Sequence, residues 1–135
     1  MNRFFIASHG RFASGIKSSV EILLGTCDNI TVFDAYVDES SLREHLDEFY
    51  KTVTEDEQVF LLSDLYGGSV NQVMYLYLDK PNTTLIAGIN LALVIELVSQ
   101  DSISPEEAES IVAESRNLLL IVRKDEDQEV DKDFF

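Results

Sequence analysis

Val59-Phe60-Leu61-Leu62-Ser63-Asp64-Leu65-Tyr66-Gly67-Gly68-Ser69 decides how this chain folds. Val59 to Leu62 is a continuous apolar run with no polar alternation, as expected of a strand covered on both faces. The run stops before Asp64. The turn that follows leads into a helix carrying Val70, Val73, Met74 and Tyr77 at helical spacing. A buried strand joined directly to an amphipathic helix is the repeating half of an α/β fold with a parallel sheet.

The same alternation extends in both directions. Arg3 to Ala7 reads as the first strand, and Phe12 to Leu24 as a helix with Phe12, Ile16, Val20 and Leu23 inward and Gly25 as its C-cap. Ile30 to Asp34, rich in β-branched and aromatic residues, is the second strand. Ser41-Leu42-Arg43-Glu44 has the spacing of a capping box and opens a helix with Leu42, Leu46, Phe49 and Val53 inward. After Pro81-Asn82 come a fourth strand, Thr84 to Ala87, and a short helix with Leu91, Val94, Ile95 and Val98 inward. Ser104-Pro105-Glu106-Glu107 combines an N-cap serine, a first-turn proline and a boxed glutamate, opening a helix to about Arg116. Leu118 to Val122 is the most apolar run and is expected to form a fifth strand, paired at an edge or with another subunit. Asp125 to Phe135 carries six acidic residues and is expected to be a mobile tail.

Length and composition bound the possibilities. A chain of 135 residues suits one domain with one core, and 45% apolar residues is a globular value. A net charge of −15 argues against a nucleic-acid or anionic-membrane partner; it suits a basic protein patch or cationic ligand, or serves solubility alone. The single cysteine, Cys27, allows no internal disulfide and fits a reducing compartment. The apolar start, Phe4 to Ala7, is too short for a signal peptide, and no stretch is long enough to cross a bilayer. The expected location is cytoplasmic. No P-loop, HExxH or dinucleotide fingerprint occurs, and neither a metal nor another cofactor is expected.

Reactive groups of a doubly wound sheet gather at the carboxyl ends of its strands, near the point where strand order reverses. His9-Gly10, Asp64 and Gly88-Ile89-Asn90 all fall at such ends. If the second and third strands flank the first, neighbours about 4.8 Å apart bring the Asp64 carboxylate within reach of His9. A carboxylate that accepts one ring N–H fixes the imidazole tautomer and stabilises the cation formed on nucleophilic attack. Phosphoryl transfer otherwise needs positioning and charge stabilisation. Gly67, Gly68 and Ser69 can supply these through close backbone approach and a helix N-terminus. Each feature alone has a plainer explanation: a packed or surface histidine, a turn aspartate, a helix cap. Their convergence at one sheet edge points to chemistry. His45, among Arg43, Glu44 and Asp47, reads as solvated surface, Asp34 and Asp38 as loop-shaping residues, and Glu106, Glu107 and Glu109 as complements to a helix dipole.

Three motifs, Ile6-Ala7-Ser8-His9-Gly10 (with Ala13, Gly15 and Ser19), Leu62 to Ser69, and Ile86-Ala87-Gly88-Ile89-Asn90-Leu91, appear in an order and spacing that resemble a known family. That family is the enzyme IIA components of the mannose family of the bacterial phosphoenolpyruvate-dependent sugar phosphotransferase system. The resemblance covers roughly Phe4 to Leu120. It implies that His9 is the phosphorylated residue, that Asp64 is its hydrogen-bonding partner, and that Gly67, Gly68 and Ser69 shape the phosphoryl site. It implies HPr as donor, a histidine of enzyme IIB as acceptor, and contact with the membrane only through the transporter, where the sugar is selected. The implied fold is a parallel sheet of order 2-1-3-4 with helices on both faces and a fifth, antiparallel strand exchanged in a homodimer. The implied division is a IIA domain over residues 1–124 and the acidic tail over 125–135. Leu65-Tyr66 replaces the Thr-Trp of several relatives, losing a hydroxyl contact, and Val70 replaces a common proline. Neither touches the His9–Asp64 pair.

Three rivals are weaker. A histidine phosphatase or mutase needs an arginine before its histidine, where this chain has Ser8, and a second histidine better placed than His45. The phosphocarrier subunit of a dihydroxyacetone kinase differs in the turn after the aspartate. A non-catalytic flavodoxin-like module for a small anion or flavin would leave His9 unphosphorylated.

Overall fold

The chain's apolar runs assemble into the central layer of a three-layer sandwich in the structure, a computed structural model describing residues 2–124. Strands β1 (Asn2–His9), β2 (Ile30–Ala35), β3 (Gln58–Ser63) and β4 (Thr83–Ala87) form one parallel sheet. Their order is β2-β1-β3-β4. Between and after them run α1 (Phe12–Leu24), α2 (Leu42–Lys51), α3 (Ser69–Tyr75), α4 (Leu91–Val98) and α5 (Pro105–Arg116).

Successive side chains of a strand point to opposite faces, and both central strands use this to fill two cores. Phe4, Ile6, Phe60 and Leu62 pack with α1, α4 and α5, while Phe5, Ala7, Val59 and Leu61 pack with α2 and α3. Phe4 and Phe60 stack at 5.6 Å, and Phe5 meets Phe49 edge-on at 5.1 Å. Truncating such a buried phenylalanine costs about 3–5 kcal/mol. α1 and α2 lie on opposite faces because the chain first moves from β1 to β2 and then crosses back to β3. β1 and β3 therefore flank the reversal, and their carboxyl ends open the crevice where this class of sheet holds its ligands. Among the described residues, no helix is long and apolar enough to cross a membrane.

Local signals place the helix starts well. Ser104 and Glu107 make both bonds of a capping box, and Ser41 accepts the Glu44 N–H at 3.2 Å. The inward faces differ in detail. In α1 the buried residues are Ala13, Ile16 and Val20, whereas Phe12 and Leu23 are 45% and 60% exposed. The small Ala13 turns toward the sheet because its N–H is held by the buried Ser8 Oγ at 2.7 Å. In α4, Leu93, Val94 and Leu97 are the most buried, and Leu91, Ile95 and Val98 pack at the margin of the same core. This helix lies between α1 and α5, so its apolar surface is wider than one stripe.

The fifth strand expected at Leu118 to Val122 does not form within a single copy. These five residues are between 49% and 86% exposed. Only Asn117 separates α5 from Leu118, too little chain for the usual two to six residues of a reversal onto β4. The acidic tail, residues 125–135, lies outside the described residues.

Candidate functional site

The register of the two central strands builds the site. Ala7 lies opposite Ser63, so Asp64 leaves β3 beside the end of β1. Its Oδ2 accepts two hydrogen bonds from His9: the main-chain N–H at 2.9 Å and ring Nδ1 at 3.0 Å. A carboxylate has no proton to donate, so the ring bond requires the proton on Nδ1 and leaves the lone pair on Nε2. One carboxylate oxygen thus fixes both the strand end and the tautomer. The His9 side chain is 41% exposed and that of Asp64 15%, so the imidazole is reachable while its partner is largely shielded from water. Asp64 Oδ1 is buried and has no hydrogen-bond partner among the described residues, so all of the carboxylate's pairing is directed at His9.

The Nε2 side is built by the turn before α3. Ser69 Oγ lies 3.3 Å from Nε2. Gly67 sits at φ +79°, a conformation side chains rarely adopt, and reverses the chain toward the ring. A Cβ at Gly68 would stand 3.2 Å from His9 Cε1, so any side chain here would press the imidazole aside by a few tenths of an ångström. Gly68 is also the N-cap of α3 and has no capping side chain, which leaves the first-turn N–H groups free of a side-chain cap.

Second contacts hold the frame. Ser8 Oγ donates to the Gly10 carbonyl at 3.0 Å while accepting from Ala13, which ties the His9-Gly10 turn to α1. Asp34 does more than shape a loop: its carboxylate accepts the Ser14 N–H at 3.0 Å and hydroxyl at 2.6 Å, steadying the first turn of α1. Asp38 is a loop residue whose carboxyl is held below its ordinary range by the Ser40 N–H. His45 is exposed and lies against Phe33, with Nδ1 on the Ser41 carbonyl, away from the site. Gly88 and Ile89 donate to the Ser63 carbonyl, and Asn90 caps α4 while bonding the Ser115 carbonyl. This segment latches β4 and α5 in place and makes no hydrogen bond to His9.

The structure thus gathers His9, Asp64, Gly68 and Ser69 around one imidazole, with Gly67 as the hinge of the turn. One neighbour escaped the sequence reading. Tyr36, just after β2, stacks on the His9 ring at 5.5 Å and 25°, and its hydroxyl lies 2.6 Å from Ser69 Oγ. The signal for it was register: its neighbour Ala35 pairs with His9 across β2 and β1. Among the described residues, no group of three or more histidine, cysteine or acidic side chains is arranged to hold a metal ion.

The chain is similar to known proteins over most of its length. A family model described as the PTS system fructose IIA component, EIIA-man, matches residues 3–114. The fructose-specific EIIA component of a PTS from Bacillus subtilis (strain 168) is 26% identical over 97 residues, covering 70% of this chain and 66% of that protein. The chain therefore spans just under two thirds of that relative. The PTS IIA protein associated with the fucose utilization operon of Streptococcus pneumoniae superposes with a TM-score of 0.78, at 26% identity over 96% of each chain. The mannose/sorbose-specific IIA subunit from Enterococcus faecalis has the same fold, with a TM-score of 0.73 and 23% identity over 93% of this chain and 97% of that one.

Proposed function

Because this chain belongs to the EIIA-man family of IIA components of the sugar phosphotransferase system, we propose that it is a phosphocarrier working through a phosphohistidine at His9. The observation that carries this reading is the 3.0 Å contact between His9 Nδ1 and Asp64 Oδ2 in the crevice between β1 and β3. With Nδ1 protonated, Nε2 attacks the phosphorus of phospho-HPr. The new Nε2–P bond forms as the N–P bond of the donor histidine breaks, and the donor nitrogen keeps the bonding pair. The positive charge that develops on the His9 ring is shared with Asp64. Transfer to a histidine of enzyme IIB is the same step in reverse. Gly67 and Gly68 keep the turn close to the ring, and Ser69 donates to the phosphoryl oxygens.

Incubation with phosphoenolpyruvate, enzyme I and HPr should place one acid-labile, base-stable phosphate on the protein, and His9→Ala should remove it while the fold is kept. Labelling that survives His9→Ala would overturn the site. No labelling of the unaltered chain would favour the anion-binding module.

Residues 1–124 serve as the IIA unit, with 125–135 as an acidic appendage. The exposed apolar run Leu118 to Val122 also supports a homodimer in which it crosses to the partner's β4, the outer strand of the sheet, and pairs antiparallel. Two clefts of about 500 and 670 Å³ that include Leu85, Ile86 and Val112 flank that strand and would take its side chains. Removal of the chain from Leu118 onward should give an unstable monomer by light scattering and thermal melting. A truncated chain that remains a stable dimer refutes strand exchange.

A further inference from the structure

We propose that Tyr36 is a positioning residue of the phosphoryl site, acting on His9 Nε2 through the hydroxyl of Ser69; this rests on the reading of His9 as phosphoryl acceptor. Three observations converge on it. Its ring stacks on the imidazole at 5.5 Å and 25°, its hydroxyl lies 2.6 Å from Ser69 Oγ, and its backbone sits at φ +68°. A bulky residue in the left-handed region is an outlier. Such strain persists only where its surroundings over-determine it, and it concentrates at functional sites. Here the Gly10 N–H bond to the Ala35 carbonyl, 2.8 Å, pins the residue just before it. A tyrosine 70% exposed to solvent gains little from burial, so the contacts it makes with His9 and Ser69 are what hold it in this conformation.

The direction of the hydrogen bonds follows by elimination. Asp64 requires the proton on Nδ1, so Nε2 accepts. Ser69 must then donate its single hydrogen to Nε2 across 3.3 Å. That leaves Ser69 Oγ as an acceptor toward Tyr36, whose O–H donates at 2.6 Å. The chain runs Tyr36 O–H to Ser69 O–H to Nε2. When the Nε2–P bond forms and the lone pair is used, the Ser69 hydroxyl turns to a phosphoryl oxygen while Tyr36 continues to donate to it. The donation polarises Ser69 and makes it a stronger donor to an anion than to a neutral ring. Tyr36 and Ser69 neither gain nor lose a proton over the step. The stacked ring also closes one face of the imidazole, so the incoming group reaches Nε2 in the ring plane as the Ser69 hydroxyl turns away.

The test is a double-mutant cycle with phospho-HPr as donor. Tyr36→Phe keeps the ring and removes the hydroxyl. It should lower kcat for phosphoryl acceptance and the equilibrium phosphorylation of the chain about fivefold, with KM for phospho-HPr unchanged. Ser69→Ala should lose at least as much, and adding Tyr36→Phe to it should cost nothing further, because the link is already cut. The ¹⁵N resonance of His9 Nε2 should move in Tyr36→Phe and not move again in the double variant. If Tyr36→Phe matches the unaltered chain, or the two losses multiply independently, the assignment of Tyr36 is overturned while His9 stands. If the unaltered chain accepts no phosphate, His9 itself is the wrong nucleophile and the Tyr36 assignment falls with it.

Discussion

Arg3 and His9 lie at opposite ends of β1, and each faces an acidic side chain. At the amino end, the Arg3 guanidinium donates to the Thr52 carbonyl at 3.0 Å, Thr52 Oγ1 at 2.9 Å and Glu57 Oε1 at 3.3 Å, and it sits 4.9 Å from the centre of the Phe49 ring. Glu57 also accepts the Thr54 N–H at 2.9 Å. At the carboxyl end, His9 Nε2 has one hydrogen-bond contact among the described residues, at 3.3 Å, and its side chain is 41% exposed. The first pair spends its donors on closing the fold. The second spends one carboxylate oxygen on orientation and leaves Nε2 with only the long Ser69 contact on an exposed ring edge. The proposed reactive group thus lies where hydrogen bonding is weakest.

Three substitutions sharpen that contrast. Asp64→Ala should slow phosphoryl acceptance about 100-fold without abolishing it, because the tautomer and the charge stabilisation are lost while Nε2 remains. Stopped-flow labelling with phospho-HPr measures this, and an unaltered rate would show that the carboxylate has no part in the step. Gly68→Ala presses a Cβ to 3.2 Å from His9 Cε1, so the ring must shift by a few tenths of an ångström. Its transfer rate should fall by about tenfold with little change in melting temperature.

At the other end, Arg3→Met should leave the transfer rate unchanged and lower stability by about 1–2 kcal/mol, read by urea unfolding. Glu57 adds a pH signature to that variant. Its carboxyl is held below its ordinary value of 4.5, first by the Thr54 N–H and then by Arg3. A depressed folded value contributes stability that is present above 4.5 and lost as pH falls through the lower folded value. Arg3→Met should reduce this acid loss and leave the Thr54 part of it. A transfer rate that falls in Arg3→Met would mean that the two ends of β1 are coupled.

The four strands and five helices were legible because each carries its signal within a few residues. Ser104, Pro105 and Glu107 mark the start of α5, and the apolar run at Val59 to Leu62 marks a strand covered on both sides. The three site motifs were legible for the same reason, since strand, turn residue and helix start are local. Rotational detail was not. Which of Phe12 and Ala13 faces the sheet depends on the Ser8 hydroxyl, a partner on another element. The anchoring role of Asp34 and the stacking of Tyr36 on His9 likewise need two strands in register.

By itself the sequence determined the kinds and order of the four strands and five helices, the doubly wound class and the candidate residues of the proposed site, because hydrophobic period and turn chemistry act over short spans of chain. The apolar run at Leu118 to Val122 suggested a fifth strand that a single copy does not form. Only the tertiary structure decided that Asp64 Oδ2 holds both the backbone and the ring of His9, that Nε2 is therefore the free nitrogen, and that Ser69 and Tyr36 line up behind it. Those are distances of about 3 Å between residues far apart in the chain. Strand register and the packing of helices on the sheet set them, and no local preference encodes either.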